Sequence, residues 1–194
     1  GVDGDQQEVR LPRRHQNYGP GRRALASRPT ANFHYPVASR LELIPLLGFP
    51  HVEPEDDLAT VIASSLADNA LQVQQGDVLI VAQKVVSKAE GRYVRLADVT
   101  VTDDALELAG RADKDPRLVQ LTLDESREVL RVRPGVIIVE HRNGYVHANA
   151  GIDRSNITSS PEDPRVLLLP EDSDGSVRRL RAALTTLCGV APQI

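Results

Sequence analysis

At 194 residues, with 41% hydrophobic and 26% charged side chains, the chain is long enough for one domain with a sizeable core. No apolar run approaches the roughly 20 residues that a membrane-spanning helix requires, which argues against a membrane role. A net charge of −4 and an aromatic content of 3% offer neither a broad basic surface nor many stacking platforms for nucleic acid, so a small molecule is the expected partner.

The single cysteine, Cys188, excludes an internal disulfide framework and fits a reducing cytoplasm, where it is expected to be a packing residue. The chain begins at Gly1 and contains no methionine, so a processed or partial chain is expected. Only three of the 23 basic residues are lysines, Lys84, Lys88 and Lys114, and the first two fall within five positions.

Residues 1–38 mix Arg, Gly, Pro and Gln without periodicity and read as a disordered or non-native leader with no catalytic role. Asp3, Asp5 and Glu8 argue against a transit peptide. The domain proper is expected over 39–194. It opens with "RLELIPLLGFP", a strand-like run stopped by Gly48 and Pro50. Leu58, Val61, Ile62, Ser65 and Leu66 then follow helical spacing, with Asp56 and Asp57 at the positive end of the helix dipole and a stop near Asp68-Asn69.

"GDVLIVAQ" reads as a buried strand, which places the lysines of "KVVSKAEGR" in a loop at its end. "TDDALELAGRA" and "DPRLVQLTLDESREVL" read as helices, the second capped by Asp115 with Pro116 in its first turn. Asn143-Gly144, between "VIIVEHR" and "YVHANA", signals a tight two-residue hairpin. "RVLLLP" is a further buried strand. "DSDGSVRRLRAALTTLCG" is a helix with Val177, Leu180, Leu184 and Leu187 on one face and Gly189 as its stop. Interspersed strands and helices give an α+β or mixed α/β fold.

"HANAGIDRSN", residues 147–156, sets one acid and one amide three residues apart among small residues just after a strand. Asp153 could hold Mg²⁺ or Mn²⁺, because hard cations take oxygen ligands and often use one protein carboxylate beside phosphate oxygens. Asn156 could hold the ligand. The alternative is an Asx-turn in which both merely satisfy local backbone groups. The ammonium of Lys88, further into its loop than Lys84, suits a phosphate, although the G-x-x-x-x-G-K-[ST] loop is absent. "GFPH" at 48–51 lines a cleft or is a plain turn. No G-x-S-x-G elbow or H-E-x-x-H occurs, and His141 and His147 flank a hairpin without a second ligand pair.

Taken together, "LELIPLLGFPHVEPEDDLA", "GDVLIVAQKVVSKAEGR", "DPRLVQLTLDESREVLR", "NAGIDRSN" and "LLLPEDSDGSVRRLR", in this order, closely resemble the amino-terminal part of the coenzyme F420-0:L-glutamate ligase family. The resemblance implies an α+β fold, incomplete here at its C-terminus, in an intertwined homodimer. It implies a GTP-dependent ligase that adds L-glutamate through γ-linked amides to coenzyme F420-0, assisted by Mg²⁺ or Mn²⁺ and often potassium. Residue by residue, it places nucleotide contacts on Phe49, Pro50, His51, Val52, Gln83, Lys88 and Asn156, and a divalent-metal ligand on Asp153. Gln83 stands where some members have a hydroxyl residue. Family members continue into an acidic "SDT-x-GR" or "TDT-x-GR" motif that this sequence does not contain. The alternative reading is therefore a catalytically inactive, nucleotide-binding or dimerising relative of that family.

Overall fold

In the computed structural model, which describes residues 41–157 and 159–194, Asp57 opens the first helix by accepting hydrogen bonds from the backbone of Ala59 and Thr60. The expected leader, 1–38, lies outside the described residues. Helix α1 (Leu58–Asp68) keeps the expected spacing and buries Leu58, Ala59, Ile62, Ser65 and Leu66. Asn69 closes it, its side chain donating to the carbonyls of Ser65 and Leu47.

The segment ahead of α1 is not a strand. Residues 41–50 have no ladder partner among the described residues, and Pro45 and Pro50 each remove a backbone donor. The run at 76–82 is extended but not buried in a sheet. Val78 makes one parallel bridge to Gln193, Leu79 and Val81 pack inward, and Val78 and Ile80 point outward at 66% and 82% exposure. A continuous apolar run can belong to a half-buried segment as well as to a central strand.

The larger correction lies next door. The expected lysine loop is helix α2 (Gln83–Ala89). Its N-cap, Ala82, supplies no capping side chain, so no start signal marked it. What holds it is burial of one face: Val85, Val86 and Ala89 pack against the cluster formed by Val52, α1 and Leu184.

After α2 the chain enters strand β1 (Tyr93–Arg95), then a 3₁₀ turn at Leu96–Asp98 and helix α3 (Asp103–Ala112), capped by Thr102. Asp115 caps helix α4 (Pro116–Asp124) as expected, its Oδ1 2.9 Å from the Arg117 nitrogen. That helix stops earlier than its sequence suggested. Residues 126–133 form strand β2 (Ser126–Arg133), where Val129, Leu130 and Val132 favour a pleated surface.

Strand β3 (Val136–His141) pairs antiparallel with β2 across Pro134-Gly135, a hairpin the sequence reading missed. It also pairs with β4 (Val146–Ala148). The β3–β4 loop has three residues rather than two: His141 accepts from the Gly144 N–H and its own N–H donates to the Tyr145 carbonyl. Gly144, at φ +88°, takes the left-handed position such a loop requires.

Strand β5 (Arg165–Leu167) is buried as expected and pairs antiparallel with β1, Tyr93 opposite Leu167. Helix α5 (Ser173–Cys188) ends at Gly189; Leu184 is buried and Leu180 packs against the core, but Val177 and Leu187 are exposed. The result is mixed α/β with antiparallel sheets. One core joins α3 and α4 to β3, another joins α1 and α5, and a third gathers Leu96, Leu121, Val166 and Leu168. No helix among the described residues is long and apolar enough to cross a membrane.

Candidate functional site

Leu167 of β5 is flanked on both edges. Tyr93 pairs on one side, and Asp153 forms an antiparallel bridge on the other, with both of its backbone bonds made at 2.8–2.9 Å. Asp153 is thereby anchored by its backbone while its side chain is left to other partners.

The backbone that leads into it is unusual. Asn149, Ala150 and Gly151 all have positive φ, at 49°, 52° and 70°, a left-handed turn that costs the two non-glycine residues roughly 1–2 kcal/mol each. Compensation comes from burial of Ala150 and from Asn149 Oδ1, which accepts from the Ile137 N–H at 3.1 Å. Gly151 is needed twice over, because a Cβ there would stand 2.8 Å from Leu169 Cδ1.

The carboxylate of Asp153 divides its work. Oδ1 accepts from the Ser155 N–H at 2.7 Å and the Ser155 hydroxyl at 2.8 Å, closing an Asx-turn. Oδ2 lies 2.6 Å from Nζ of Lys84. The same ammonium donates to the Ser155 carbonyl at 3.0 Å and hydroxyl at 3.1 Å. Burial pushes the Asp153 pKa up, but the Lys84 hydrogen bond and the two from Ser155 outweigh it and hold the acid at about 2. Asp153 is thus fully ionised at neutral pH.

The expected site residues fall into three groups. Asp153 is met by Lys84, not by Lys88, which follows one helical turn later in the last turn of α2. Gln83 starts that helix and donates to the Ser87 hydroxyl. Asn156 is exposed at φ +52° and takes no part in the Asx-turn, whose partner is Ser155. Phe49 packs against the α1–α5 core beside Val85 and Val86, Pro50 and His51 are exposed, and the Val52 side chain is buried in that core. A contact to Val52 therefore has to use its backbone. Among the described residues no hydrogen bond or ion pair joins 49–52 to Asp153.

Lys84 and Ser155 were the residues that sequence reasoning passed over. With 83–89 read as a loop, the four-residue spacing of Lys84 and Lys88 carried no meaning; on a helix it puts both ammonium groups on one face. As for a cation, Asp153 is anionic and already carries one, the Lys84 ammonium. By its chemistry such a carboxylate could serve only as a single protein ligand, to an ion that also binds phosphate oxygens. No group of three or more His, Cys, Asp or Glu that could hold a metal occurs among the described residues.

Residues 47–194 match the family model described as F420-0:Gamma-glutamyl ligase. The chain belongs to the F420-0:gamma-glutamyl ligase family. It is 44% identical over 151 residues to the coenzyme F420:L-glutamate ligase of Methanopyrus kandleri, covering 78% of this chain and 56% of that protein. The enzyme of the same name from Archaeoglobus fulgidus is 41% identical over 150 residues, covering 77% and 56%. That from Methanothermobacter thermautotrophicus is 39% identical over 149 residues, covering 77% and 58%. The matched region of this family member thus spans little more than half the length of these relatives.

Proposed function

We propose that the protein attaches L-glutamate through γ-linked amides to coenzyme F420-0, using GTP and an acyl phosphate intermediate, as a cytoplasmic homodimer assisted by Mg²⁺ or Mn²⁺ and potassium. The observation that carries this reading is the meeting of a helix bearing Lys84 and Lys88 on one face with the ionised Asp153. That is an arrangement for phosphate and its counter-ion rather than for a side-chain nucleophile.

The chemistry follows from the substrates. A carboxylate is a poor acylating agent, so the γ-phosphoryl group of GTP passes to the terminal carboxylate of the precursor, releasing GDP. The amine of glutamate then attacks that carbonyl, the C–O bond to phosphate breaks, and phosphate leaves with the amide formed. Lys88 offsets negative charge spread over the phosphoryl oxygens, which is most of what a protein can contribute to such a transfer. Gln83 and Asn156 orient the nucleotide by hydrogen bonds, and the 49–52 segment offers its backbone. Asp153 would be the residue to hold a divalent ion, which would supply further charge neutralisation.

Calorimetric titration with GTP in the presence and absence of Mg²⁺ tests the reading. Metal-dependent GTP binding is expected in the wild type and its loss in Asp153→Asn. A metal titration unchanged by that substitution would return Asp153 to a turn residue and overturn the assignment.

A further inference from the structure

The position of Lys84 carries an inference about the cation itself, and it rests on the reading of Asp153 as a cation ligand. Both hydrogen bonds at Oδ1 of Asp153 come from Ser155, so Oδ2 is the oxygen with capacity for a cation. Lys84 Nζ occupies it at 2.6 Å and is held there by two further bonds to Ser155. A divalent ion binds a carboxylate oxygen at roughly 2.0–2.2 Å, and two cations cannot share that approach without strong repulsion.

We propose that Lys84 is a built-in competitor for the divalent ion: its ammonium neutralises Asp153 in the cation-free protein and leaves Oδ2 when the ion binds. Its side chain is 27% exposed and that of Asp153 34%, so the ammonium has a path into solvent. Departure needs rotation about side-chain bonds and no movement of α2, whose other face is fixed by Val85, Val86 and Ala89. The competition is modest, because a half-buried pair of this kind is weak. Removing the ammonium is worth about a two- to five-fold gain in ion affinity.

The test is electron paramagnetic resonance of free Mn²⁺ titrated into the protein with saturating GDP. Wild type, Lys84→Gln, Asp153→Asn and the double variant are compared, with circular dichroism to verify the fold. Lys84→Gln is expected to bind Mn²⁺ about two- to five-fold tighter than wild type. In the Asp153→Asn background the same substitution is expected to gain nothing, because the contested oxygen is gone. If Asp153→Asn weakens Mn²⁺ binding while Lys84→Gln leaves it equal or weaker, Asp153 stands as a ligand and Lys84 is no competitor. Mn²⁺ binding that Asp153→Asn does not alter, or that no variant shows, overturns the cation reading of Asp153 and this proposal with it.

Discussion

The backbone N–H of Asn143 donates to Nδ1 of His141 at 3.0 Å, and this single bond fixes the protonation of a buried imidazole. An N–H donor requires a lone pair on Nδ1, so the proton of the neutral ring sits on Nε2, 3.5 Å from Oε2 of Glu125. His141 is 1% exposed and stacks on Tyr145 with ring centroids 5.0 Å apart. A second proton would turn Nδ1 into a donor facing a donor and would loosen the turn that Asn143 also ties to the Pro170 carbonyl.

A pH dependence follows. Burial lowers the His141 pKa most, Glu125 raises it, and Arg142 and His147 lower it further; the outcome is a pKa below the ordinary 6.5. As pH falls, the unfolded chain takes up this proton before the folded one, so stability is full above about 6.5 and declines as pH drops towards the folded value. Urea unfolding at pH 7.5 and pH 5.5 is expected to give a lower midpoint at the acidic pH. His141→Asn should flatten the difference. Equal pH dependence in both would assign the acid sensitivity to other groups.

Glu125 is the anion on which this corner closes. Its carboxylate is 6% exposed and receives Arg142 at 2.6 Å and Arg92 at 3.3 Å, while Arg92 Nε also donates to the Leu169 carbonyl at 2.8 Å. Glu125→Ala leaves Arg92 half-buried without its counter-charge. Loss of one partner from such a cluster costs about 3 kcal/mol, the low end of the usual range because the Arg142 head reaches water. Chemical denaturation measures it, and a loss under about 1 kcal/mol would show that water replaces the carboxylate.

Gly151→Ala brings two penalties, a side chain at φ +70° and a Cβ 2.8 Å from Leu169 Cδ1. A destabilisation of about 1–3 kcal/mol is expected, with Leu169 shifting to relieve the clash. Because Asp153 follows two residues later, the variant should also alter the Lys84 pair. The sensitive readout is the NMR shift of the Lys84 ammonium, and its constancy would mean that the Leu167 bridge alone holds Asp153.

How much of this was legible in the sequence depended on whether the signal was local. Asp57, Asp115 and Gly189 mark helix ends through contacts within one turn, and each acts where its residue type suggested. Helix α2 has no such mark, since Ala82 caps nothing and its stability comes from Val52, α1 and α5, far along the chain. "ESREVL" continued a helical pattern but pairs with β3, a tertiary preference that outweighs propensity. For the site, Asp153 stood out by its small neighbours. Its partner could not be read, because Lys84 lies far from Asp153 along the chain and only the fold brings the two together.

The last expectation separates the two lysines. Lys88 lies one turn beyond Lys84 on the same face of α2, yet Lys84 is the one paired with Asp153. If Lys88 serves the phosphates, Lys88→Ala removes a charge-assisted hydrogen bond and weakens GTP about ten-fold. The fold should be untouched, because the apolar residues that pack α2 on the core, Val85, Val86 and Ala89, lie on its other side. Lys84→Gln, by contrast, should change the metal dependence of binding more than nucleotide affinity without metal. Calorimetric titration of GTP into each variant, with and without Mg²⁺, distinguishes these effects. Lys88→Ala with wild-type affinity would remove that residue from the site. A larger loss without metal in Lys84→Gln than in Lys88→Ala would exchange the roles of the two lysines.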